Sequence, residues 1–557
     1  MNEKKKLTTE ETFSLAFKNH KKNNLQVAEN LYKKILKINP NHFNSIFYLG
    51  TLLSQTKRFD LAKPLLEKAI KINPNYANVY YTLGVTFKGL QKHQKAISSY
   101  KKAITIQPNY LEAHYNLGNI LKDLGEHQKA IGSYEKATKI HPNFVDAHNN
   151  LGIVLHELGE HQKAISSFKK AIQIQANYAD AHNNLGIVFQ DLGEHQKAKS
   201  FYQMAIKYEP ENLAFLYNFS RLDEKILHPN LKNKIYEIIE KNNSTKKNIA
   251  YGSFLLARYE LKSKKYKNEF DYLLKGHQYY FELEKNKFKK EVEYMLNVLP
   301  KRKKLINLNK HNKNIKIDNY EIKPIFIIGL PRCGSTLIEK IIASGRQYIC
   351  TGEETSIIHN VVKNLINHKQ SSNSDIENFQ TKIVEKYKQK GLVQKKSNYM
   401  FTDKSLENFF YIDIIKEIFP QAKIINCRRN ALSSIMSTLK NNLTILPWAH
   451  NLEHIFKYYD IYHQMIKNFE KTHSNFIYNL QYEKFVSNPE NEAKKLMKFC
   501  GLAWDVKCLD FYKRKDLISK TASNFQIRKA IYKDSINKYF SYKQFLSKYE
   551  NKYSWFN

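Results

Sequence analysis

The chain has 557 residues, in which 90 lysines and arginines outnumber 52 aspartates and glutamates and give a formal net charge of +38. This is enough chain for about three or four domains. Its 42% apolar and 25% charged residues are typical of globular proteins and exclude a disordered or fibrous chain. No run approaches the ~18 apolar residues of a membrane helix, and the first residues lack the apolar core of a signal peptide. We therefore expect a cytoplasmic protein without a membrane span.

Cysteines are few and scattered along the chain. None of the five forms a CxxC pair, and no Cys/His cluster has zinc spacing. This pattern predicts a reducing compartment and no metal site. The lysines are spread over the whole chain and no base-reading module is visible, so we do not expect nucleic acid as the partner. A basic chain still attracts an anionic cofactor or an acidic peptide.

The first third of the chain repeats with a period of 34 residues. Three positions carry the period, with Ala176 in one vacant proline slot: Pro40, Pro74, Pro108, Pro142 and Pro210; Gly50, Gly84, Gly118, Gly152 and Gly186; Ala28, Ala62, Ala96, Ala130, Ala164 and Ala198. The pattern resembles the tetratricopeptide repeat, with about six copies over residues 9–212. Since one helix pair cannot bury its apolar face alone, stacked pairs are expected to form an α-solenoid.

Two further ladders follow the same step. His127, His161 and His195 lie one repeat apart, too far to share a metal ion. Asn116, Asn150, Asn184 and Asn218 precede the Leu-Gly position on the helix expected to line the inner groove. Their amides would hydrogen-bond an extended peptide, or they form a solvated face of recently duplicated repeats. Both interpretations stay open at this point.

Beyond the repeats, the pattern divides the rest of the chain in two. Residues 213 to about 300 keep helical periodicity without the 34-residue step, which predicts a cap on the solenoid, and a polar linker follows. The basic run Lys301–Lys304 is typical of a solvated linker and marks the boundary. The predicted organisation is therefore repeats over 1–212, helical cap and basic linker over 213–320, and a third domain over 321–557.

The third domain opens on a phosphate loop. A short apolar run, Ile325–Ile328, predicts a buried strand, and it leads through Gly329–Thr336 into an amphipathic helix. Strand, glycine loop and helix together form a phosphate-binding nest. Ser335 stands where nucleotide-triphosphate loops have lysine, while Arg332 places a charge inside the loop. The pattern disfavours an ATPase or GTPase and favours a phosphate held without metal.

Here a resemblance becomes specific. Gly-Leu-Pro-Arg-Cys-Gly-Ser-Thr-Leu is similar to the 5′-phosphosulfate loop of sulfotransferases, G-x-P-R-S-G-T-T-L, with Cys333 and Ser335 as departures. The strand 422–427 ends at two arginines, and Ser437 follows Arg429 by eight residues, as in the family's 3′-phosphate signature. The resemblance implies a P-loop α/β domain with a mostly parallel sheet, and PAPS (3′-phosphoadenosine 5′-phosphosulfate) as sulfuryl donor. The implied cofactor-binding residues are Arg332, Cys333, Gly334, Ser335, Thr336, Arg429, Ser437 and Lys538.

Further segments resemble the protein-tyrosine sulfotransferase branch. Residues 350–355 resemble its Gly-Glu-Glu segment and imply Glu353 as catalytic base, with Glu354 as the rival. Lys404 and Arg332 would meet the charge on the leaving group, and Ser523 would donate a hydrogen bond. The implied activity is sulfuryl transfer to a hydroxyl, with protein tyrosine favoured and the repeats binding a polypeptide. The alternatives are a non-catalytic repeat scaffold that holds a nucleotide, or a sulfotransferase acting on a carbohydrate or small molecule.

Overall fold

The structure is a computed structural model that describes residues 7–304, 308–309, 322–368, 374–393, 400–472, 476–514, 528–532 and 539–556. The chain divides into two compact units, residues 1–190 with 194–210, and residues 191–193 with 211–557. The three-part organisation drawn from the sequence stays a prediction. In the structure, the helices that follow Glu211 belong to the second unit.

The first unit is a helical solenoid, as the repeats predict. Its helices form six consecutive pairs: α1 (Thr9–Lys21) and α2 (Leu25–Ile38), α3 (Phe43–Gln55) and α4 (Phe59–Ile72), α5 (Ala77–Gly89) and α6 (His93–Ile106), α7 (Leu111–Asp123) and α8 (His127–Ile140), α9 (Val145–Glu157) and α10 (His161–Ile174), α11 (Ala179–Asp191) and α12 (His195–Tyr208). The repeating prolines lie in the turns between pairs, where a missing N–H costs no helical hydrogen bond.

The repeating glycines bring the two helices of a pair close together. A Cβ atom on Gly118 would lie 2.7 Å from the ring of Tyr134, which is fully buried on the facing helix. A Cβ atom on Gly84 would clash in the same way with the ring of Tyr100, and one on Gly186 would clash with the ring of Tyr202. Glycine is therefore required at this position because the aromatic ring fills the space of a side chain. The repeat pattern thus encodes the packing of each pair.

The asparagine ladder links neighbouring repeats. The Nδ2 of Asn116 donates to the Tyr81 hydroxyl at 3.1 Å, and that of Asn150 donates to the Tyr115 hydroxyl at 3.1 Å. Asn184 repeats the link with a 3.0 Å hydrogen bond to Asn149. This inter-repeat role is additional to the two interpretations drawn from the sequence. It holds consecutive first helices in register.

The second unit begins with helices that pack on the sheet domain. They are α13 (Leu213–Leu222), α14 (Pro229–Glu240), α15 (Lys246–Lys262), α16 (Tyr266–Leu283) and α17 (Lys285–Glu293). On α16, the buried His277 places Nδ1 2.9 Å from Nδ1 of His450, and Nε2 2.8 Å from the carbonyl oxygen of Leu439. Glu269, also on α16, forms a 2.8 Å ion pair with Lys440 and accepts a hydrogen bond from Tyr542.

The basic run after these helices is only partly what the sequence predicts. Arg302 is 3% exposed, so it is not a solvated linker residue. Its guanidinium donates to the Phe410 carbonyl at 2.5 Å, pairs with Asp413 and lies over the ring of Tyr411. An arginine can be buried in this way because its planar head is fully paired and its stem packs on aromatic carbon.

A five-stranded parallel sheet forms the centre of the second unit, which confirms the predicted fold class. The strands are β2 (Lys323–Gly329), β3 (Cys350–Glu353), β5 (Met400–Lys404), β6 (Lys423–Arg428) and β7 (Ile477–Gln481), in the order β3-β5-β2-β6-β7. Two short strands, β1 (Leu308–Asn309) and β4 (Ser374–Asp375), pair separately. The central strand β2 is buried on both faces, as its continuous apolar run predicts.

Helices connect and cover the strands. They are α18 (Ser335–Ala343), α19 (Ile357–His368), α20 (Ile376–Gln389), α21 (Ile412–Ile418), α22 (Ala431–Lys440), α23 (Leu452–Thr472), α24 (Tyr482–Ser487) and α25 (Pro489–Cys500). Because all five strands run in parallel, their carboxyl ends meet at one edge of the sheet. Among the described residues, no helix has the length and apolar character needed to cross a bilayer.

Candidate functional site

The phosphate loop leaves β2 at Gly329 and enters α18 at Ser335. Gly329 has a φ of 151°, and a Cβ there would lie 2.6 Å from the carbonyl oxygen of Cys427 on the neighbouring strand. Gly334 has a φ of 97° and caps the helix, and a Cβ there would strike the ring of Tyr482. Both glycines are needed because the backbone is left-handed and closely approached. The loop therefore directs the amino end of α18 toward the carboxyl edge of the sheet.

Two arginines meet above this loop. Arg332 adopts a φ of 67°, and its Nε donates to the hydroxyl of Ser437 on α22 at 3.0 Å. Arg429, just after β6, donates to the carbonyl oxygen of Arg332 at 3.0 Å and lies over the ring of Tyr482. Burial, with a smaller contribution from the charge of Arg429, lowers the pKa of Arg332 to about 10. An anion between the two guanidinium groups would offset both effects.

A buried lysine lies at the same edge of the sheet. Parallel pairing sets Glu353 of β3 beside Lys404 of β5, and Lys404 Nζ lies 2.5 Å from Glu353 Oε1. The same Nζ donates to the hydroxyl of Thr336, in the first turn of α18, at 3.1 Å. Burial by itself would lower the pKa of Lys404, but the carboxylates of Glu353 and Glu339 outweigh it and raise the pKa. Lys404 is therefore a charged lysine beside the phosphate loop, and it is only 2% exposed.

Glu354 follows Glu353 but has different surroundings. Its backbone is left-handed with a φ of 49°, and its side chain is open to solvent. Desolvation by the surrounding protein raises the pKa of Glu354 to about 6, Lys404 opposes the rise, and Glu353 adds to it. A carboxylate whose pKa is raised toward neutrality is suited to accept a proton.

The residue before the lysine supports the site from the opposite face of β5. Asp403 accepts hydrogen bonds from Thr355 at 2.7 Å, from Tyr387 at 2.5 Å and from Ser405 at 2.7 Å. Successive side chains of a strand point to opposite faces, so Asp403 does not pair with Lys404. These bonds fix the end of β5 and the turn that follows Glu354.

A cavity opens between the phosphate loop and the segment 529–532. Its lining includes both arginines and Thr336 together with Tyr482, Lys529 and Tyr532. The cavity combines three cations with three aromatic rings, those of Tyr482, Phe511 and Tyr532, which suits an anionic ligand that carries a flat ring system. In the described ranges of the chain, no group of three or more His, Cys, Asp or Glu side chains lies close enough together to hold a metal ion.

The structure brings most of the sequence-predicted residues to this edge. Arg332, Gly334, Thr336, Glu353, Lys404, Arg429 and Ser437 all lie there. The backbone N–H of Cys333 donates to the Leu330 carbonyl at 3.2 Å, so its predicted contact with a phosphate would require that bond to break. Ser335 is buried at the start of α18. Ser523 and Lys538 lie outside the described residues.

Sequence reasoning did not identify several residues of the site. Glu339 is fully buried on α18, accepts from Thr402 at 2.8 Å and lies 3.9 Å from Lys404 Nζ. A signal for it existed, because a charged Glu-Lys pair interrupts an otherwise apolar helix. Tyr482 and Lys529 carry no comparable signal, since they join the cavity from segments remote in the chain.

Comparison with known proteins agrees with this arrangement. A family model described as the sulfotransferase family matches residues 324–506. Models of tetratricopeptide repeats match residues 45–76, 65–98, 90–125, 118–159 and 144–208. The fold and site thus define an α/β domain with a phosphate-binding loop in the second unit, and the first unit is a helical solenoid. The chain carries tetratricopeptide repeats followed by a domain of the sulfotransferase family.

Relatives of known sequence are distant. The chain is 23% identical over 235 residues to a protein-tyrosine sulfotransferase of Drosophila melanogaster, which covers 36% of this chain and 42% of the relative. It is 25% identical over 205 residues to protein-tyrosine sulfotransferase A of Caenorhabditis elegans, and the match covers 33% of this chain and 51% of the relative. An uncharacterized protein of Aquifex aeolicus is 28% identical over 241 residues, and the match covers 40% of this chain and 31% of that protein. The chain therefore spans about half or less of the length of these relatives.

Two solved structures are similar to part of the chain. YrrB, described as a tetratricopeptide-repeat protein with an unusual peptide-binding site, matches with 22% identity and a TM-score of 0.31, covering 33% of this chain and 96% of YrrB. MamA matches with 31% identity and a TM-score of 0.28, covering 29% of this chain and 96% of MamA.

Proposed function

We propose that the chain is a PAPS-dependent sulfotransferase that transfers a sulfuryl group to a tyrosine hydroxyl of a polypeptide held by the repeats. The observation that carries the proposal is the position of Lys404, which is buried, charged and within 3.1 Å of Thr336 on the phosphate loop. A fixed cation at that point stabilises negative charge that develops on a leaving oxygen. The match of residues 324–506 to the sulfotransferase family supports the same reaction.

The residues of the cavity fit a nucleotide with two phosphate groups. Arg332 and Arg429 approach each other closely enough to lower the pKa of Arg332, and a bound anion would relieve that repulsion. The amino end of α18 adds the positive end of a helix dipole. Tyr482 and Tyr532 offer aromatic faces beside these cations. When bound, PAPS would supply an activated sulfuryl group.

The two neighbouring glutamates suit different roles. Glu353 forms a 2.5 Å ion pair with Lys404, and a carboxylate so paired is a poor proton acceptor. Glu354 has a pKa raised to about 6 and reaches solvent. We therefore propose Glu354, the rival in the sequence interpretation, as the group that removes the hydroxyl proton, with Glu353 holding Lys404 in place.

The acceptor is inferred from chemistry and from the relatives. A phenol has a pKa of about 10, so near neutral pH its hydroxyl needs a base such as Glu354. The relatives in Drosophila and Caenorhabditis are named protein-tyrosine sulfotransferases. A solenoid of six helix pairs supplies an extended surface on which a polypeptide can lie.

Calorimetric titration with adenosine 3′,5′-bisphosphate, with magnesium-ATP as the control ligand, tests the cofactor. We expect micromolar binding of the bisphosphate and weak binding of ATP. Arg429→Ala should weaken bisphosphate binding at least about tenfold, as expected for one lost charged hydrogen bond. Arg428→Ala is the matched control, because Arg428 pairs with Glu470 outside the cavity lining. Preference for magnesium-ATP, or no binding of either ligand, would overturn the proposal.

The acceptor is tested separately. Purified protein with PAPS should release adenosine 3′,5′-bisphosphate in the presence of tyrosine peptides and not with the same peptides carrying phenylalanine. Turnover of a carbohydrate instead of the peptides would keep the sulfotransferase and reject the tyrosine acceptor.

A further inference from the structure

Two thiols lie in contact beneath the phosphate loop. Cys333 lies in the loop itself, and Cys427 lies near the end of β6, where it is the register partner of Gly329. The Cys333 sulfur occupies the space that a side chain on Gly329 would fill, since a Cβ there would be 2.9 Å from Sγ. Both cysteines are 1% exposed and belong to one apolar cluster. A disulfide between these two cysteines would therefore join the phosphate loop to strand β6 of the sheet.

The surroundings distinguish the two thiols. The Cys427 thiol donates a hydrogen bond to the Cys333 sulfur, and this bond lowers the pKa of Cys333. Burial opposes the lowering, whereas hydrogen bonds from the backbone N–H and hydroxyl of Ser335 add to it. The same contact and burial raise the pKa of Cys427. Burial also raises the pKa of Cys500, to about 12. Cys333 is therefore favoured as the thiolate and Cys427 as its partner.

We propose that Cys333 and Cys427 are a redox pair, which a hydroperoxide converts to a disulfide that ties the phosphate loop to β6 and weakens nucleotide binding. The loss of nucleotide binding rests on the proposed function, whereas formation of the disulfide does not. Neither thiol is needed as a nucleophile for sulfuryl transfer, so the pair is free for this regulatory role.

The chemistry proceeds in two displacements. The Cys333 thiolate attacks one oxygen of hydrogen peroxide, the O–O bond breaks, and the departing hydroxide takes a proton to become water, leaving a sulfenic acid. The Cys427 sulfur then attacks the Cys333 sulfur, the S–O bond breaks, and the hydroxide leaves with the Cys427 thiol proton as a second water. Two thiols are oxidised by two electrons and one peroxide is reduced. A dithiol reductant reverses the change.

The geometry explains why binding would weaken. A disulfide brings the sulfurs to about 2.05 Å, much closer than two hydrogen-bonded thiols. The loop would be drawn toward β6, and the hydrogen bonds from Ser335 to the Cys333 sulfur would be rearranged. Arg332 and Gly334 flank Cys333 and line the cavity, so this is the side from which a small oxidant approaches. A bound bisphosphate should therefore protect the thiols.

Peptide mapping of the full chain after treatment with hydrogen peroxide tests the bond directly. Trypsin releases Cys333 in peptide 333–340 and Cys427 in peptide 424–428. We expect these two peptides to be linked after oxidation, separate after reduction, and largely unlinked when bisphosphate is present during oxidation. If the two peptides are not found linked, or if peptide 333–340 is linked to a different cysteine peptide, the proposal is overturned.

Calorimetry with adenosine 3′,5′-bisphosphate tests the consequence. Oxidation should weaken binding by about tenfold or more, corresponding to one lost charged hydrogen bond. Cys427→Ala should bind as the reduced protein does and resist peroxide, whereas Cys500→Ala, from the same cluster, should remain sensitive. A linked pair with unchanged affinity would reject the regulatory role. If even the reduced protein fails to bind, the proposed function fails, and the peptide map still decides the disulfide.

Discussion

The two units bury polar groups in different ways. In the repeats, the amides of Asn116 and Asn150 are paired with hydroxyls one repeat away, and Asn184 makes a related contact with Asn149. In the second unit, Lys404 and Glu339 are ionisable groups buried inside the sheet domain, held by partners from three separate elements. A solenoid divides its stability among similar neighbours. The sheet domain instead concentrates buried charge at one edge.

This difference shows where each unit is vulnerable. A change in one repeat alters a single helix pair and its contacts with the adjacent repeats. A change at Lys404 removes the common partner of two carboxylates, and an unpaired buried charge is costly. The following predictions test this contrast, from the largest expected effect to the smallest.

Removing the proposed base should have the largest effect, on turnover. Glu354→Gln should lower turnover by about 10²–10⁴-fold, the usual contribution of a general base, and leave bisphosphate affinity unchanged. In the unaltered protein, turnover should rise with pH through about 6, because Glu354 must lose its proton to act. Steady-state rates against pH measure both. Unchanged turnover in Glu354→Gln, with loss in Glu353→Gln, would assign the base to Glu353.

Removing the buried lysine should have the largest effect on stability. Lys404→Met leaves Glu353 and Glu339 without their common partner and should lower the free energy of unfolding by about 3–5 kcal/mol. All three tryptophans, Trp448, Trp504 and Trp555, lie in the second unit, so urea unfolding followed by their fluorescence reports on that unit.

Lys494→Met provides the matched control for this stability change. Lys494 forms an exposed pair with Glu490, and its loss should cost less than about 1 kcal/mol. Equal losses in the two variants would contradict the contrast between buried and exposed charge.

The buried histidine pair should make the second unit sensitive to acid. Burial lowers the pKa of His277 to about 4 and that of His450 to about 2. The unfolded chain then binds more protons than the folded chain below about pH 6.5, so this contribution to stability is lost as the pH falls from there toward 4.

A variant isolates this contribution from that of other groups. His277→Gln keeps a donor for the Leu439 carbonyl and removes the titrating ring, so the acid-induced loss between pH 7 and pH 5 should be smaller by about 2 kcal/mol. Tryptophan fluorescence during urea unfolding at pH 7 and pH 5 measures the difference, with His148→Gln in the repeats as control. Identical pH dependence in His277→Gln and the unaltered protein would contradict it.

Repeat packing should give the smallest effect. Gly118→Ala places a methyl group 2.7 Å from the Tyr134 ring and should destabilise by about 1–3 kcal/mol. Gly132→Ala, on the facing helix α8 of the same pair, meets no atom within 4 Å and should stabilise by about 0.5–1 kcal/mol through helix propensity. Hydrogen exchange of α7 and α8 measures both changes. The same sign for both variants would reject the packing role of Gly118.

The phosphate loop could be predicted from the sequence, whereas the contacts made around it could not. Gly329, Arg332 and Gly334 are local in sequence, so their spacing alone predicts an anion-binding turn between strand and helix. Lys404 was identified through resemblance, but its protonation and its contacts with Glu353 and Thr336 depend on β3, β5 and α18 meeting in one register. At Arg302 the sequence-based prediction was wrong, because its basic run predicts a solvated linker whereas Arg302 is buried and paired with Asp413.

The sequence by itself determined the solenoid, the parallel sheet domain and the phosphate loop. The solenoid and the loop depend on contacts between residues near in the chain or one period apart, and such contacts leave a visible pattern. The parallel sheet pairs strands that are distant in the chain, and it was predicted through the family resemblance. Only the tertiary structure decided that Glu353 pairs with Lys404 while Glu354 stays open, that Glu339 lies buried beside them, and that Cys333 touches Cys427. Those relations depend on strand order and register, which bring together residues separated by about 50 to 100 positions, and burial then sets their charge.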